Sequence, residues 1–287
     1  MIHQKRRLAA GLYLVATPIG TARDITLRAL DIFASADFLA AEDTRSLRKL
    51  LEIHGVPLEG RKIVSYHDHS GSGPLRMLLQ VLEEGKSVAY ASEAGMPLIS
   101  DPGFELSRDA AAAGHLVTCA PGASAVLTAM TLAGLPTDAF FFAGFLPNAS
   151  GQRKKRLEEI KDIPGTLAFY ESPKRLTASL SDMLQILGDR PAAVCRELTK
   201  KFEETRRNTI SALIEDLKDR PAKGEVVVLV DRARSQAVNE ADIEKTLLSA
   251  LENNSVRDAA NIVSEMYDQP RRKVYQMALS LAKESGN

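Results

Sequence analysis

The chain has 287 residues, with 37 Lys or Arg balanced by 37 Asp or Glu, no tryptophan and 5% aromatics. Zero formal charge excludes a global field drawing it to nucleic acid or anionic membrane, so any polyanion must be held by local basic patches. Cys119 and Cys195 sit inside apolar segments, which fits reduced thiols in a cytoplasmic protein rather than a disulfide framework; no metal-ligand spacing occurs, and no apolar run approaches the roughly 18 residues of a membrane span. Lys5, Arg6 and Arg7 before LAAGLYLVA have the outline of a signal peptide, but the run is short, contains Gly11 and continues into TPIG without a small-x-small cleavage site.

Taken in order, Leu12 to Ala16 predict a first strand, and TPIG turns out of it towards a helix over 26–35. A second strand, Phe38 to Ala41, ends in Glu42 and Asp43, with Thr44 placed to cap a helix running to about Ile53. Ile63 to Ser65 predict a short strand that delivers Tyr66, His67, Asp68 and His69 into a loop. A helix over 74–84 then leads to a β-branched and apolar strand, Ser87 to Ala91, which breaks into a loop carrying Gly95, Pro97, Pro102 and Gly103. Two glycines and two prolines within nine residues fix a backbone path that a ligand can approach closely, and loops at the carboxyl ends of parallel strands are where open α/β sheets bind ligands. A helix over 104–113, a strand over 116–119 and the turn Ala120, Pro121, Gly122 complete a parallel sheet.

The character changes near Pro121. A helix over 124–133 is followed by GLPTDAFFFAGFLP, a basic segment over 153–156, a strand over 166–170, a helix over 173–187, a strand over 192–196 and an antiparallel partner over 203–209. The valine-rich run Glu225 to Val230 predicts a buried central strand. From about Asp231 the chain turns polar and helical. Ser255 with Asp258 three residues on is a capping pattern, and Pro270 opens a last helix whose first turn carries Arg271, Arg272 and Lys273. Cations there oppose the helix dipole at about 0.3–1 kcal/mol each, and phosphate binding is one use for that cost. The expected division is an α/β domain over 1–120, a second α/β domain with a mixed sheet over 121–232, and a small helical domain over 233–287.

Familiar chemistry motifs are missing: TPIGTA offers one glycine where a dinucleotide fold needs three, and no Walker loop, GxSxG elbow or HExxH occurs. Residue physics alone leaves an α/β enzyme of unknown ligand. The ordered set LVATPIGTARDITLRAL, AAEDTR, SYHDHS, ASEAGMPLISDPG, CAPGASA, FAGFLP, FYESPKRL and CRELTKKFEE, however, resembles the bacterial small-subunit ribosomal RNA 2′-O-methyltransferases, a branch of the tetrapyrrole methylase superfamily. The likeness covers about residues 11 to 230. It implies two α/β domains of the tetrapyrrole methylase type enclosing a cofactor cleft, S-adenosylmethionine as cofactor, a homodimer, and a decoding-region cytidine of 16S rRNA in the small ribosomal subunit as target.

Carried over by motif, Pro18, Gly95, Met96, Pro97, Ile99, Ser124, Ala125, Tyr170 and Glu225 are expected to line the cofactor cleft. Asp43 and His67 are expected to serve the ribose hydroxyl, with Asp101 and Glu42 as further candidates for its base and Arg45 on a neighbouring phosphate. The chain departs from the family pattern at Glu93, Met96 and Lys174, where aspartate, threonine and histidine are usual. Two rival readings are a porphyrin or corrin precursor methylase and a non-catalytic RNA-binding protein; the basic segments at 153–156, 200–201 and 271–273 favour RNA over a small tetrapyrrole.

Overall fold

A computed structural model describes residues 3–67, 72–233, 240–267 and 269–284. The described residues up to Arg232 form one compact unit, and those from Ala233 on form a second.

In the first unit the strands β1 (Gly11–Val15), β2 (Phe38–Ala41), β3 (Ile63–Ser65), β4 (Ser87–Ala91) and β5 (Val117–Ala120) pair in the order β3-β2-β4-β1-β5. Every pairing is parallel, with Leu12 opposite Val88 and Leu39 opposite Ala89. Strand side chains alternate faces, and here both faces are covered. Tyr13, Val15, Leu39 and Ala89 join Leu30 and Phe33 of α1 (Leu27–Ser35) and Leu47 and Leu51 of α2 (Thr44–Ile53). Leu12, Val88 and Tyr90 join Leu78 and Leu82 of α3 (Ser72–Glu83) and Leu106 of α4 (Phe104–Ala112). Burial of each such Leu or Phe side chain contributes about 1.5–3 kcal/mol. Asp37 pins the start of β2 to β4, its Oδ2 accepting from Ser87 N at 2.8 Å and Ser87 Oγ at 2.6 Å.

The second sheet contains β6 (Phe140–Phe145), β7 (Thr166–Glu171), β8 (Pro191–Arg196), β9 (Glu204–Thr209) and β10 (Val226–Val230), ordered β6-β7-β10-β8-β9. It is mixed: β6 runs parallel to β7, while β10 is antiparallel to both β7 and β8, and β8 to β9. All five residues of β10 are buried. Val226, Val228 and Val230 face α6 (Ser150–Ile160), α7 (Leu176–Leu187) and α8 (Ile210–Asp219), whereas Val227 and Leu229 face α5 (Ala125–Ala133) and Ile19 from the turn after β1. The halves therefore share a core cluster, and Thr21 N also donates to Thr199 Oγ1 at 3.1 Å across the same seam.

The second unit comprises α9 (Glu240–Leu251), α10 (Val256–Met266) and α11 (Arg271–Glu284), packed around Ile243, Leu247, Ala260, Val263, Val274 and Ala278. Ser255 caps α10: its Oγ accepts from Asp258 N at 3.2 Å and donates to the Asp258 carboxylate at 2.6 Å.

Two sequence expectations change and one element is added. Asp43, not Thr44, is the N-cap of α2, its Oδ1 accepting from Arg45 N at 2.8 Å and Ser46 N at 3.4 Å. The segment 153–156 is part of helix α6 rather than an open basic patch: Arg153 is buried with Nη2 2.6 Å from Asp182 Oδ2. Helix α8 joins the second sheet without having been anticipated. Asp68 and His69 lie outside the described residues.

Candidate active site

The loop after β4 is built from residues in the left-handed backbone region. Gly95 (φ +81°), Leu98 (+70°), Ser100 (+62°) and Gly103 (+117°) all lie there. For Leu98 and Ser100 such angles cost about 1–3 kcal/mol apiece and persist only where the surroundings fix them. The surroundings here are specific. Gly95 exchanges both main-chain hydrogen bonds with Thr17 (Thr17 N to Gly95 O 2.9 Å, Gly95 N to Thr17 O 3.0 Å), and Tyr90 Oη donates to Pro102 O at 3.1 Å. A Cβ on Gly103 would fall 2.6 Å from the Tyr90 ring, and one on Gly95 3.3 Å from Ile19.

This loop forms one wall of a cavity of about 480 Å³ between the two sheets, within the usual range for small-molecule sites. Ile19, Glu93, Gly95, Met96, Ile99 and Asp101 line it from the first half, and Ser124 and Ala125 from the start of α5. Phe145, Tyr170, Glu171, Leu198, Glu225 and Val227 close it from the second. Glu93, Asp101, Glu171 and Glu225 give the lining four carboxylates, and it contains no Lys or Arg. Arg175 and Lys200, just outside the lining, pair with Glu171 and Glu225, which leaves Glu93 and Asp101 as the carboxylates that suit a partly apolar ligand carrying positive charge.

Asp101 is the most perturbed of these groups. Burial, with the neighbouring Glu42 and Glu93 carboxylates, pushes its pKa up to about 6; the nearby Ser92 hydroxyl favours the charged form without reversing the shift. Burial also raises the Tyr170 phenol, aided by the charges of Asp101 and Glu225, against the opposing pull of the Val126 N–H at the start of α5. Tyr170 and Asp101 line the cavity from opposite halves. Glu171, by contrast, is tied down: it accepts from Ser172 N at 2.7 Å, Arg175 Nη2 at 2.8 Å and Ser179 Oγ.

Of the cleft residues expected from the sequence, Gly95, Met96, Ile99, Ser124, Ala125, Tyr170 and Glu225 line this cavity. Pro18 and Pro97 do not; both are buried. Asp43, Arg45 and His67 are also outside the lining. The Asp43 carboxyl is held below the usual carboxylate range, first by its hydrogen bond from Arg45 N. Arg45 has a side chain 92% exposed. Ser124 is the N-cap of α5, its Oγ accepting from Leu127 N at 3.5 Å. Ile19, Phe145, Glu171 and Leu198 were not singled out beforehand, although each falls inside one of the quoted motifs. What selects them is the meeting of the two sheets.

The family model described as Tetrapyrrole (Corrin/Porphyrin) Methylases matches residues 11–214, and that described as RsmI C-terminal HTH domain matches residues 237–282. The chain is 46% identical over 284 residues to the ribosomal RNA small subunit methyltransferase I of Mesorhizobium japonicum, covering 98% of this chain and 95% of that one. It is 42% identical to the protein of the same name from Bacillus subtilis, covering 84% and 82%. Among solved structures, the methyltransferase CobJ superimposes with a TM-score of 0.59 at 20% identity, over 78% of this chain and 95% of that one. A uroporphyrin-III C-methyl transferase from Thermus thermophilus complexed with S-adenyl homocysteine gives 0.52 at 18%, over 77% and 97%. At those identities the likeness is one of fold.

Proposed function

The chain belongs to the Tetrapyrrole (Corrin/Porphyrin) Methylases, in the group of ribosomal RNA small subunit methyltransferase I, and on that premise we propose that it methylates the 2′-hydroxyl of a decoding-region cytidine in 16S rRNA, using S-adenosylmethionine. The observation that carries this reading is the cavity between the sheets, where Glu93 and Asp101 stand without an ion-pair partner among the described residues along a wall whose main chain is exposed by left-handed residues. That wall fits S-adenosylmethionine, which carries a sulfonium and an ammonium. Its carboxylate finds main-chain N–H groups at the start of α5, beside Ser124 and Ala125. Gly95, Met96 and Ile99 supply the close main-chain and apolar wall, and Glu225 the outer carboxylate. The same reading makes the protein a cytoplasmic homodimer.

Bound S-adenosylmethionine supplies an electrophilic methyl group on a good leaving group. The protein's task is to align the ribose hydroxyl and take its proton; alignment contributes several kcal/mol and a general base about 10²–10⁴-fold. Asp101 is suited to the proton. It lines the cavity, no ion pair among the described residues holds it, and its pKa of about 6 leaves it ionised yet basic near neutrality. Asp43 is committed to the α2 N-terminus, and the exposed Arg45, in the first turn of that helix, is placed to meet a phosphate. Ile19, Leu198 and Phe145 exclude water around the reacting centre.

The test is incubation of the protein with methyl-labelled S-adenosylmethionine and small ribosomal subunits from cells lacking the gene, followed by mass mapping of the RNA. A single methyl on a decoding-region cytidine ribose is the expected result. Label on a base, or none on RNA, would overturn the reading.

A further inference from the structure

Helix α2 leaves β2 one strand away from the cavity wall. Glu42, the last residue before its cap, donates its N–H to Ala91 O at 3.0 Å and accepts the N–H of cavity-lining Glu93 at 3.1 Å. The helix buries Leu47 and Leu51, so at 100° per residue its outward face presents Arg45, Lys49 and Glu52, with Arg48 on the flank beside them. The three cations are all exposed. Among the described residues neither Arg48 nor Lys49 has an ion-pair partner, Glu52 closes none with either, and Arg45 has only a loose contact with Asp43 at 3.5 Å.

Several other cations of this unit are taken up by carboxylates. Arg153 is sunk against Asp182, Arg206 lies between Glu204 and Asp216 at 3.1 and 3.0 Å, and Lys200 bridges Glu197 and Glu225 at 3.2 and 3.0 Å. Three like charges so close together also work against α2. Arg45 repels Arg48 and Lys49 three and four positions on, and as a first-turn cation it opposes the helix dipole. Of the acids at hand, Asp43 reaches only Arg45, at 3.5 Å, and Glu52 pairs with neither Arg48 nor Lys49, so the face keeps a net positive charge that suits an external polyanion.

We propose that the outward face and flank of α2, through Arg45, Arg48 and Lys49, bind RNA phosphates and seat the substrate strand at the mouth of the cavity. This rests on the ribosomal RNA reading above, but its test is a binding measurement that stands apart from methylation. Affinity of wild type and of the Arg48→Gln/Lys49→Gln double variant for unmodified small subunits, and for their deproteinised 16S RNA, is measured from 0.05 to 0.5 M salt. Loss of two phosphate contacts flattens the slope of log affinity against log salt by roughly 1.4–1.8, equivalent to roughly twentyfold weaker binding at 0.15 M salt if the contacts vanish by 1 M. S-adenosylmethionine affinity, read by calorimetry, stays at the wild-type value because neither residue lines the cavity. Equal slopes overturn the proposal. So does a change seen with subunits but not with free RNA, which would put a ribosomal protein on this face. A wild type that binds RNA with the steeper slope yet methylates none of it would leave the surface standing and remove the methyltransferase reading instead.

Discussion

Two carboxylates face the same cavity from opposite sheets, and their surroundings are opposed. Glu171 ends β7 with a fully buried side chain, answered on every side by Arg175, the Ser179 hydroxyl and a main-chain N–H. Asp101, in the loop after β4, has two carboxylates for neighbours and no cation, and its pKa stands at about 6. A satisfied carboxylate in a rigid network is a structural part, whereas one left short of partners by its own fold can take up a proton. Residue type therefore does not assign the roles; the partners do. Glu171 holds the Tyr170–Pro173 wall in place, and Asp101 is left for chemistry.

The largest effect that would break this contrast is Asp101→Asn. It should lower single-turnover methylation by about 10²–10⁴-fold while calorimetry shows S-adenosylmethionine binding retained. Glu171→Ala should act through stability, because it leaves Arg175 without its partner. A loss of about 3 kcal/mol in denaturant unfolding is expected, with methylation falling only as the folded fraction falls. Asp101→Asn should also raise stability near pH 7, by about 1–2 kcal/mol once the solvent reaching the group is discounted. The sign follows from the raised pKa: the folded state holds the Asp101 proton up to about pH 6 and the unfolded chain releases it near 3.8, so wild-type stability falls as pH rises through that window. The advantage of the variant should disappear below about pH 4. The smallest effect sharpens the contrast from a third carboxylate. Asp43→Asn, whose amide oxygen can still cap α2, should methylate close to the wild-type rate, and Asp43→Ala should lower the melting temperature modestly.

The strands were legible because their patterns are local. Phe38–Ala41, Ile63–Ser65 and Ser87–Ala91 stand where apolar, β-branched runs meet turn residues, and the Gly/Pro density of 95–103 marks the loop that lines the cavity. Helix α6 was less legible, since SGQRKKRLEEI shows few apolar positions and its inward face is completed by Arg153, whose partner Asp182 lies 29 residues away. The cap of α2 was misplaced by one residue because Asp43 and Thr44 both have suitable side chains, and only the backbone decides which stands outside the helix. The setting of Asp101 could not be read locally either. Glu42 reaches this loop across 51 residues of chain, and Tyr170 comes from the other sheet. Motif likeness located the walls of the cavity; the parallel pairing of β2 with β4 is what brings Glu42, from outside the lining, beside the cavity's Glu93 and Asp101.

The most direct measurement is the pH dependence of single-turnover methylation with S-adenosylmethionine and unmodified small subunits, for wild type and Asp101→Asn. With Asp101 as the proton acceptor, the wild-type rate should climb about tenfold per pH unit below about 6 and level off above it, and the variant should be slow with that rise absent. A variant that methylates at the wild-type rate with the same rise would contradict the account and return the proton to another group.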